Sequence, residues 1–306
     1  MFKSNGSIAH STIPDPPNAS NWHDQISSGE RFKFGKNWRH FLNQLNEHSI
    51  ERSRRSFDEM LDLDELQGKR FVDVGSGSGL SSLIARNNGA TVVSFDFDPE
   101  CVACTQEIRD RYRPNDTEWT IIEGSVLDSD FLDGLARFDV VYSWGVLHHT
   151  GAMWLAIKNS MLLVEPEGYL FLSLYNDQGI KSSLWRKLKG LYCTNVFGRW
   201  LAFLIGLPLL SFQLMVACVI QRTNAFRDYK KKRGMSFYYD CIDWLGGYPY
   251  EVAKPEEVLR FVRKAGFELI NMTTTNGHGT NQFVFRRNGK KLENDTTLNN
   301  ASRATD

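Results

Sequence analysis

The sequence predicts an α/β protein built on a doubly wound sheet, and three observations carry that prediction. Residues 71–175 alternate short apolar runs with stretches of helical spacing, which implies parallel strands covered by helices on both faces. A turn rich in glycine joins the first of those strands to the first helix. After an interruption, 255–266 reads as a helix opened by Pro255 and closed by Gly266, and 267–275 and 282–287 read as two strands around Asn276-Gly277. A chain of 306 residues holds one such domain with decorations and needs no second core.

Residues 1–20 are polar, with three prolines and no apolar stretch of the kind a signal peptide needs, so the chain is expected to begin with a disordered or loosely attached segment over 1–34. The tail 288–306 reads the same way. Between 34 and 66, Trp38, Phe41, Leu42 and Leu45 fall at helix spacing. The strand that follows, Phe71-Val-Asp-Val, runs straight into Gly75-Ser-Gly77-Ser-Gly79, where glycine permits tight turning and close approach of a ligand. Residues 80–86 return to helical spacing, so the turn aims a helix N-terminus at that ligand. The run 91–95 is a second apolar strand and ends in Asp96, 17 residues after Gly79. An acid at that strand end is placed to accept from both hydroxyls of a ribose.

Dinucleotides and S-adenosylmethionine both use this geometry, and glycine spacing separates them. A dinucleotide loop reads G-x-G-x-x-G, which brings a helix N-terminus to the pyrophosphate. Here the glycines alternate at 75, 77 and 79, with Asp73 just before them. A carboxylate there would repel a pyrophosphate and suits a cofactor carrying an ammonium group. The stretch resembles motif I of the class I S-adenosylmethionine-dependent methyltransferases.

Three later stretches extend the resemblance in order. Trp119-Thr-Ile-Ile-Glu-Gly124-Ser-Val-Leu-Asp128 is similar to the family's third strand and adenine-contacting loop. The resemblance puts Phe97 at the cofactor and Ser125 and Val126 against the base. Asp128 either accepts from the adenine amino group or caps a helix. Phe138-Asp-Val-Val-Tyr-Ser-Trp144-Gly-Val-Leu-His148-His149 resembles motif IV, where methyl donor and acceptor meet, and Trp144 is placed beside the cofactor. Residues 163–176 look like the next strand, introduced by Pro166-Glu-Gly168. The resemblance covers roughly 35–287 and extends to ubiquinone-biosynthesis-type methylases and methylases found with bacterial surface-polysaccharide genes. It implies a Rossmann-like, mostly parallel seven-stranded sheet with an antiparallel seventh strand, an α-helical insertion at about 180–250, and S-adenosyl-L-methionine as cofactor, with Asp73, Gly75, Ser76, Gly77, Gly79 and Asp96 around it.

Transfer of a methyl group to a hydroxyl is helped by a base of near-neutral pKa, and histidine is the natural one. His148 and His149 stand where motif IV meets the pocket, one expected to point inward and the other to pack beneath. In the ubiquinone-type methylases the position matching His148 is a carboxylate associated with a divalent metal. Histidine here removes the expectation of a metal. For the acceptor, Tyr175 and Asn176 end the fifth strand on the edge that holds the glycine turn, and Trp244, Tyr248 and Tyr250 surround Gly246-Gly247 in a stretch suited either to contacting rings or to closing the domain.

The chain carries 36 basic and 36 acidic residues, which argues against a general nucleic-acid binder. The basic runs at 109–113 and 230–233 read as solvated helix faces. Five cysteines, with Cys101 and Cys104 on one helix face and no second pair to complete a zinc set, read as packing in a reducing cytoplasm. Within the insertion, 200–220 reads WLAFLIGLPLLSFQLMVACVI between Arg199 and Arg222. Spanning a bilayer once would put 255–287 across the membrane from the sheet it completes. Gly206 and Pro208 instead suggest two short helices, either a lid over the acceptor pocket or a hairpin lying on a membrane. The expectation is therefore a cytoplasmic methyltransferase acting on oxygen of a small molecule or saccharide. A quinone or lipid methylase working peripherally on the membrane through 200–220, and a non-catalytic cofactor- or partner-binding protein, remain as alternatives.

Overall fold

A computed structural model describes residues 22–61, 66–221, 237–277 and 279–289. The basic run at 230–233, residues 1–21 and most of the tail therefore lie outside the described residues. Seven strands form one sheet: β1 (Arg70–Val74), β2 (Thr91–Asp96), β3 (Trp119–Glu123), β4 (Phe138–Trp144), β5 (Val164–Tyr175), β6 (Phe267–Thr273) and β7 (Thr280–Arg287). Their order is β3-β2-β1-β4-β5-β7-β6, with β1 to β5 mutually parallel and β7 antiparallel to both neighbours. The mostly parallel sheet expected from the sequence is the one observed.

Alternation along the strands feeds two cores. Val72, Val74, Val141, Leu170, Leu172, Phe283 and Phe285 face one side and meet α7 (Met153–Leu162) and α11 (Pro255–Lys264). Phe71, Val92, Val140, Phe171 and Val284 face the other and meet α3 (Glu47–Leu61), α4 (Leu80–Asn87) and α5 (Pro99–Tyr112). The remaining short helices before the insertion are α1 (Trp22–Ser27), α2 (Gly35–Leu42) and α6 (Ser129–Asp133). Order reverses between β1 and β4, and the carboxyl ends of those strands leave a crevice there.

The insertion packs α8 (Ile180–Thr194), α9 (Val196–Gln221) and α10 (Phe237–Gly246) around Trp185, Tyr192, Ala202 and Leu245. Two short helices bent at Gly206 and Pro208 were the expectation, but α9 is one helix of 26 residues with Pro208 inside it. Proline removes a single intrahelical donor. Ala202 and Phe203 before it and Leu210 after it pack into the same cluster, which ties both halves of the helix to one core. Gly206 serves packing, since a Cβ there would run into Leu245. Among the described residues no helix is long and apolar enough to cross a membrane.

Candidate active site

A cavity of about 540 Å³ opens at the carboxyl edge of β1, β2, β4 and β5. The turn after β1 forms its floor. The backbone N–H groups of Gly75 and Ser76 both donate to Phe95 O, at 2.9 and 3.1 Å, which folds the turn back over β2. Gly75 and Gly77 have φ of +78° and +55°, a region that favours glycine. A Cβ on Gly75 would strike Val146, and one on Gly77 would stand 2.9 Å from the Trp38 indole. Gly79 differs: it starts α4, packs against Thr105 and Ile108, and does not line the cavity. Ser76 lines the cavity, but its hydroxyl pairs with Thr105 Oγ1 at 2.8 Å.

Two carboxyls flank this turn, Asp73 buried and Asp96 half-buried. Asp96 Oδ2 accepts from Gly77 N at 2.9 Å and Oδ1 from Asp98 N at 2.9 Å. Burial pushes its pKa up to about 6 against the pull of those donors. Asp73 accepts from Ser82 Oγ at 2.6 Å. Ser82 spends its proton there, so Ser94 donates to Ser82 across 2.7 Å and takes the Trp119 indole N–H at 2.8 Å. Burial, opposed by the Ser82 hydroxyl and reinforced by Asp96, pushes Asp73 up to about 7. Hydroxyl and ammonium donors in the cavity would favour the ionised form of both groups, so this pair fits the ribose and amino-acid ends of S-adenosylmethionine.

Phe97, Ser125, Val126 and Trp144, expected at the cofactor, also line the cavity. Asp128 does not. Its carboxylate accepts from Phe131 N at 3.1 Å and caps α6, the other role open to it.

His148 and His149 form a 3-10 turn after β4, both buried and both lining the cavity. The His149 ring pairs through Nδ1 with Pro249 O at 2.7 Å, which makes Nδ1 the protonated nitrogen and leaves Nε2 as an acceptor. Among the described residues His148 Nδ1 has no hydrogen-bond partner. Burial, followed by repulsion from Lys189, lowers His149 to about 3, and burial followed by His149 and Lys189 holds His148 well below the usual imidazole range. Burial thus works against the near-neutral base expected from the sequence and favours the neutral form of both rings.

On the acceptor side, Tyr175 lies against His148 with ring centroids 3.9 Å apart, and Trp244 meets Tyr175 edge-on at 5.5 Å. Both line the cavity, whereas Asn176, Tyr248 and Tyr250 do not. Asn176 ties β5 to the β6–β7 turn through Thr275 O and Asn281. Tyr248 accepts from Phe32 N through its carbonyl, and Tyr250 is buried in the insertion core. The aromatic loop is therefore divided between lining the site and closing the domain. No residue of α9 lines the cavity among those described, so the insertion reaches it only through α10.

Sequence reading missed the segment before α2. Residues 22–34, expected to be loosely attached, form α1 and a strap across the cavity, lined there by Arg31, Phe32 and Phe34. Arg31 Nη1 donates to His149 O at 2.9 Å, Nη2 to Thr150 O at 3.3 Å and Nε to Gln25 Oε1 at 2.7 Å. It is the only Lys or Arg among the described residues lining the cavity, and burial lowers its pKa to about 10 despite Asp96 and Asp98. Nothing in the local pattern around Arg31 marks contacts this distant in sequence. Two further supports were missed. Glu251 caps α7 by accepting from Met153 N at 3.1 Å, while its own N–H donates to His148 O at 2.9 Å. Lys189 is fully buried, donates to Trp244 O, and stands over the Trp244 and Tyr250 rings at 4.4 and 4.9 Å.

A family profile described as a methyltransferase domain matches residues 35–206, more than half of the chain, and the chain belongs to that family. It is similar to the ubiquinone biosynthesis O-methyltransferase of Vibrio parahaemolyticus, 31% identical over 121 residues, which is 40% of this chain and 49% of that protein. The enzyme of the same name from Coxiella burnetii is 31% identical over 117 residues, 36% of this chain and 45% of that one. The chain thus spans about half the length of the curated relatives it matches. The fold is shared with magnesium protoporphyrin IX methyltransferase from Synechocystis, crystallised with bound SAH: TM-score 0.51 and 16% identity over 82% of this chain and 93% of that one. It is also shared with PKMT2 from Rickettsia typhi, in complex with AdoHcy: TM-score 0.51 and 13% identity over 76% of this chain and 52% of that one.

Proposed function

We propose that this protein transfers the methyl group of S-adenosylmethionine to an oxygen of a small-molecule acceptor. The observation that carries the reading is a single cavity in which the glycine turn is bracketed by the carboxyls Asp73, buried, and Asp96, half-buried, and faced by a buried histidine pair. Asp96 would hold the ribose hydroxyls, and Asp73 the ammonium side of the methionine portion, which the backbone at Gly75 and Gly77 can approach closely. Phe97, Ser125 and Val126 would flank the base, with Trp144 at the donor–acceptor junction. Metal-ligand clusters are absent among the described residues, and the reading uses none.

When bound, the cofactor supplies an electrophilic methyl group on a sulfonium. The chain's part is alignment, exclusion of water and removal of one proton. His148 Nδ1, neutral and buried, would take the proton from the acceptor oxygen. A base this weak fits proton removal that accompanies methyl transfer rather than preceding it. Arg31 and Glu251 hold the backbone of the histidine turn at successive carbonyls, His149 O and His148 O, and Pro249 fixes the His149 ring. Tyr175 and Trp244 offer ring faces to an aromatic or saccharide acceptor.

A quinone or lipid acceptor met at a membrane surface is the second reading, favoured by the exposed apolar side chains of α9. Cytoplasmic location with peripheral membrane contact through 200–220 goes with it. A cofactor-binding protein without turnover is the rival outside the enzymes. Incubating the protein with labelled S-adenosylmethionine and fractionated cell extract separates these. Acceptor-dependent release of S-adenosylhomocysteine together with a labelled product supports transfer, and the product names the acceptor. Tight cofactor binding with no labelled product from any fraction would leave the non-catalytic rival standing.

A further inference from the structure

The outer face of the insertion is the largest feature that the site does not use. On α9, nine large apolar side chains from Val196 to Met215 are between 38% and 76% exposed. Phe197, Trp200, Leu204, Ile205, Leu209 and Phe212 recur at helical spacing on one side, while Ala202, Phe203, Gly206 and Leu210 face the insertion core. From Phe197 to Met215 the stripe runs about 27 Å at the α-helical rise. Ile180 and Leu184 on α8 are exposed as well. Soluble monomers rarely show an apolar face this large, so something covers it in use.

Charge indicates what. The chain as a whole is neutral, yet 178–221 contains no Asp or Glu, and Lys181, Arg186, Lys187 and Arg199 are exposed around the hairpin. Arg199 immediately precedes Trp200 and stands over the Tyr192 ring at 5.4 Å. An apolar stripe on a pair of helices whose exposed charges over 178–221 are all cations, with Trp200 beside Arg199, is the pattern of an interfacial helix on an anionic bilayer. A second copy docked through this face would set the same cations against each other, like charge on like. We propose that α9 lies in the headgroup region of an anionic membrane with this face down, and that α8 and α10 carry that anchorage to the cavity wall at Trp244. The inference stands whether or not the protein transfers methyl groups.

The test is co-sedimentation of the full chain with vesicles of phosphatidylcholine alone and of phosphatidylcholine with phosphatidylglycerol. The protein is expected to pellet with the anionic vesicles at least tenfold more than with the neutral ones, and less so in high salt. Leu204→Asp with Leu209→Asp should keep the protein in the supernatant while leaving its affinity for S-adenosylhomocysteine unchanged, which shows that the variant is folded. Leu204→Gln with Leu209→Gln serves as a milder pair should the first not fold. A native chain that stays in the supernatant with both vesicle types overturns the proposal. So does a concentration-dependent dimer that the same substitutions dissociate, because the face would then belong to a second copy.

Discussion

The Arg31 guanidinium donates to the backbone carbonyl of His149 across 118 residues of sequence, at 2.9 Å. This bond joins the strap over the cavity to the turn that carries both histidines. Its neighbour to Thr150 O makes the grip two-pronged, a geometry that arginine provides and lysine does not.

Arg31→Ala should therefore destabilise the fold by about 2 kcal/mol, the scale of hydrogen bonds made by a charged group, and loosen the histidine turn. Arg31→Lys should recover only part of the loss. Urea unfolding reads the first effect and turnover the second. An unchanged unfolding midpoint in the alanine variant would mean that the strap does not hold the turn.

Asp96→Ala is expected to weaken binding of S-adenosylmethionine by about 1.5–3 kcal/mol through loss of charged acceptors for the ribose. Titration calorimetry measures it directly. Unchanged affinity would remove Asp96 from the cofactor site, and tight binding of NAD to the native protein would overturn the cofactor reading itself.

Acidity should control cofactor affinity. Burial raises Asp73 to about 7 and Asp96 to about 6 in the protein alone, and a ligand offering an ammonium and hydroxyls prefers both ionised. Affinity for S-adenosylhomocysteine should then be level above pH 7 and fall by up to about tenfold per pH unit below it. The stability sign runs the other way. Carboxyls with raised folded pKa values contribute stability at low pH that is lost as pH rises through those values, so ligand stabilisation should grow as pH rises to about 7 and stay level above it. Asp73→Asn should flatten the step near 7 and leave the one near 6. A profile unchanged by that substitution would dissociate Asp73 from the ligand.

Turnover at saturating cofactor should not fall through the ordinary imidazole range. With His149 lowered to about 3 and His148 also well down, both rings stay neutral from pH 6 to 8. His148→Ala should still cost roughly two orders of magnitude in kcat with S-adenosylhomocysteine affinity intact. His149→Ala frees the Pro249 carbonyl and should act chiefly on acceptor KM. Full activity in both variants would show that alignment alone suffices.

The parts of this site written in the sequence are those set by local pattern. Alternating glycines at 75, 77 and 79 and an acid ending the second strand need only strand and turn geometry to be placed. Asp128 could not be settled this way, because capping α6 and meeting a base call for the same acceptor at the same position. Arg31 carried no signal, since His149 and Thr150, which it holds, lie more than a hundred residues away. The histidines were visible as residues but not as titrating groups: burial fixes their protonation, and burial is a property of the assembled strap, turn and insertion. Gly206 and Pro208 misled for a related reason. They are helix breakers in isolation, and here tertiary packing on both sides overrides them.

That override can be measured. Gly206→Val would drive its side chain into Leu245 and should destabilise the insertion by about 1–3 kcal/mol, the usual range for overpacking. Pro208 is exposed and costs α9 one hydrogen bond, so Pro208→Ala should be neutral or stabilising by up to about 3 kcal/mol. Urea unfolding of the two variants gives both values. A strongly destabilised Pro208→Ala, with Gly206→Val unaffected, would mean that the chain does turn at this point and that two bent helices, not one continuous α9, describe the insertion.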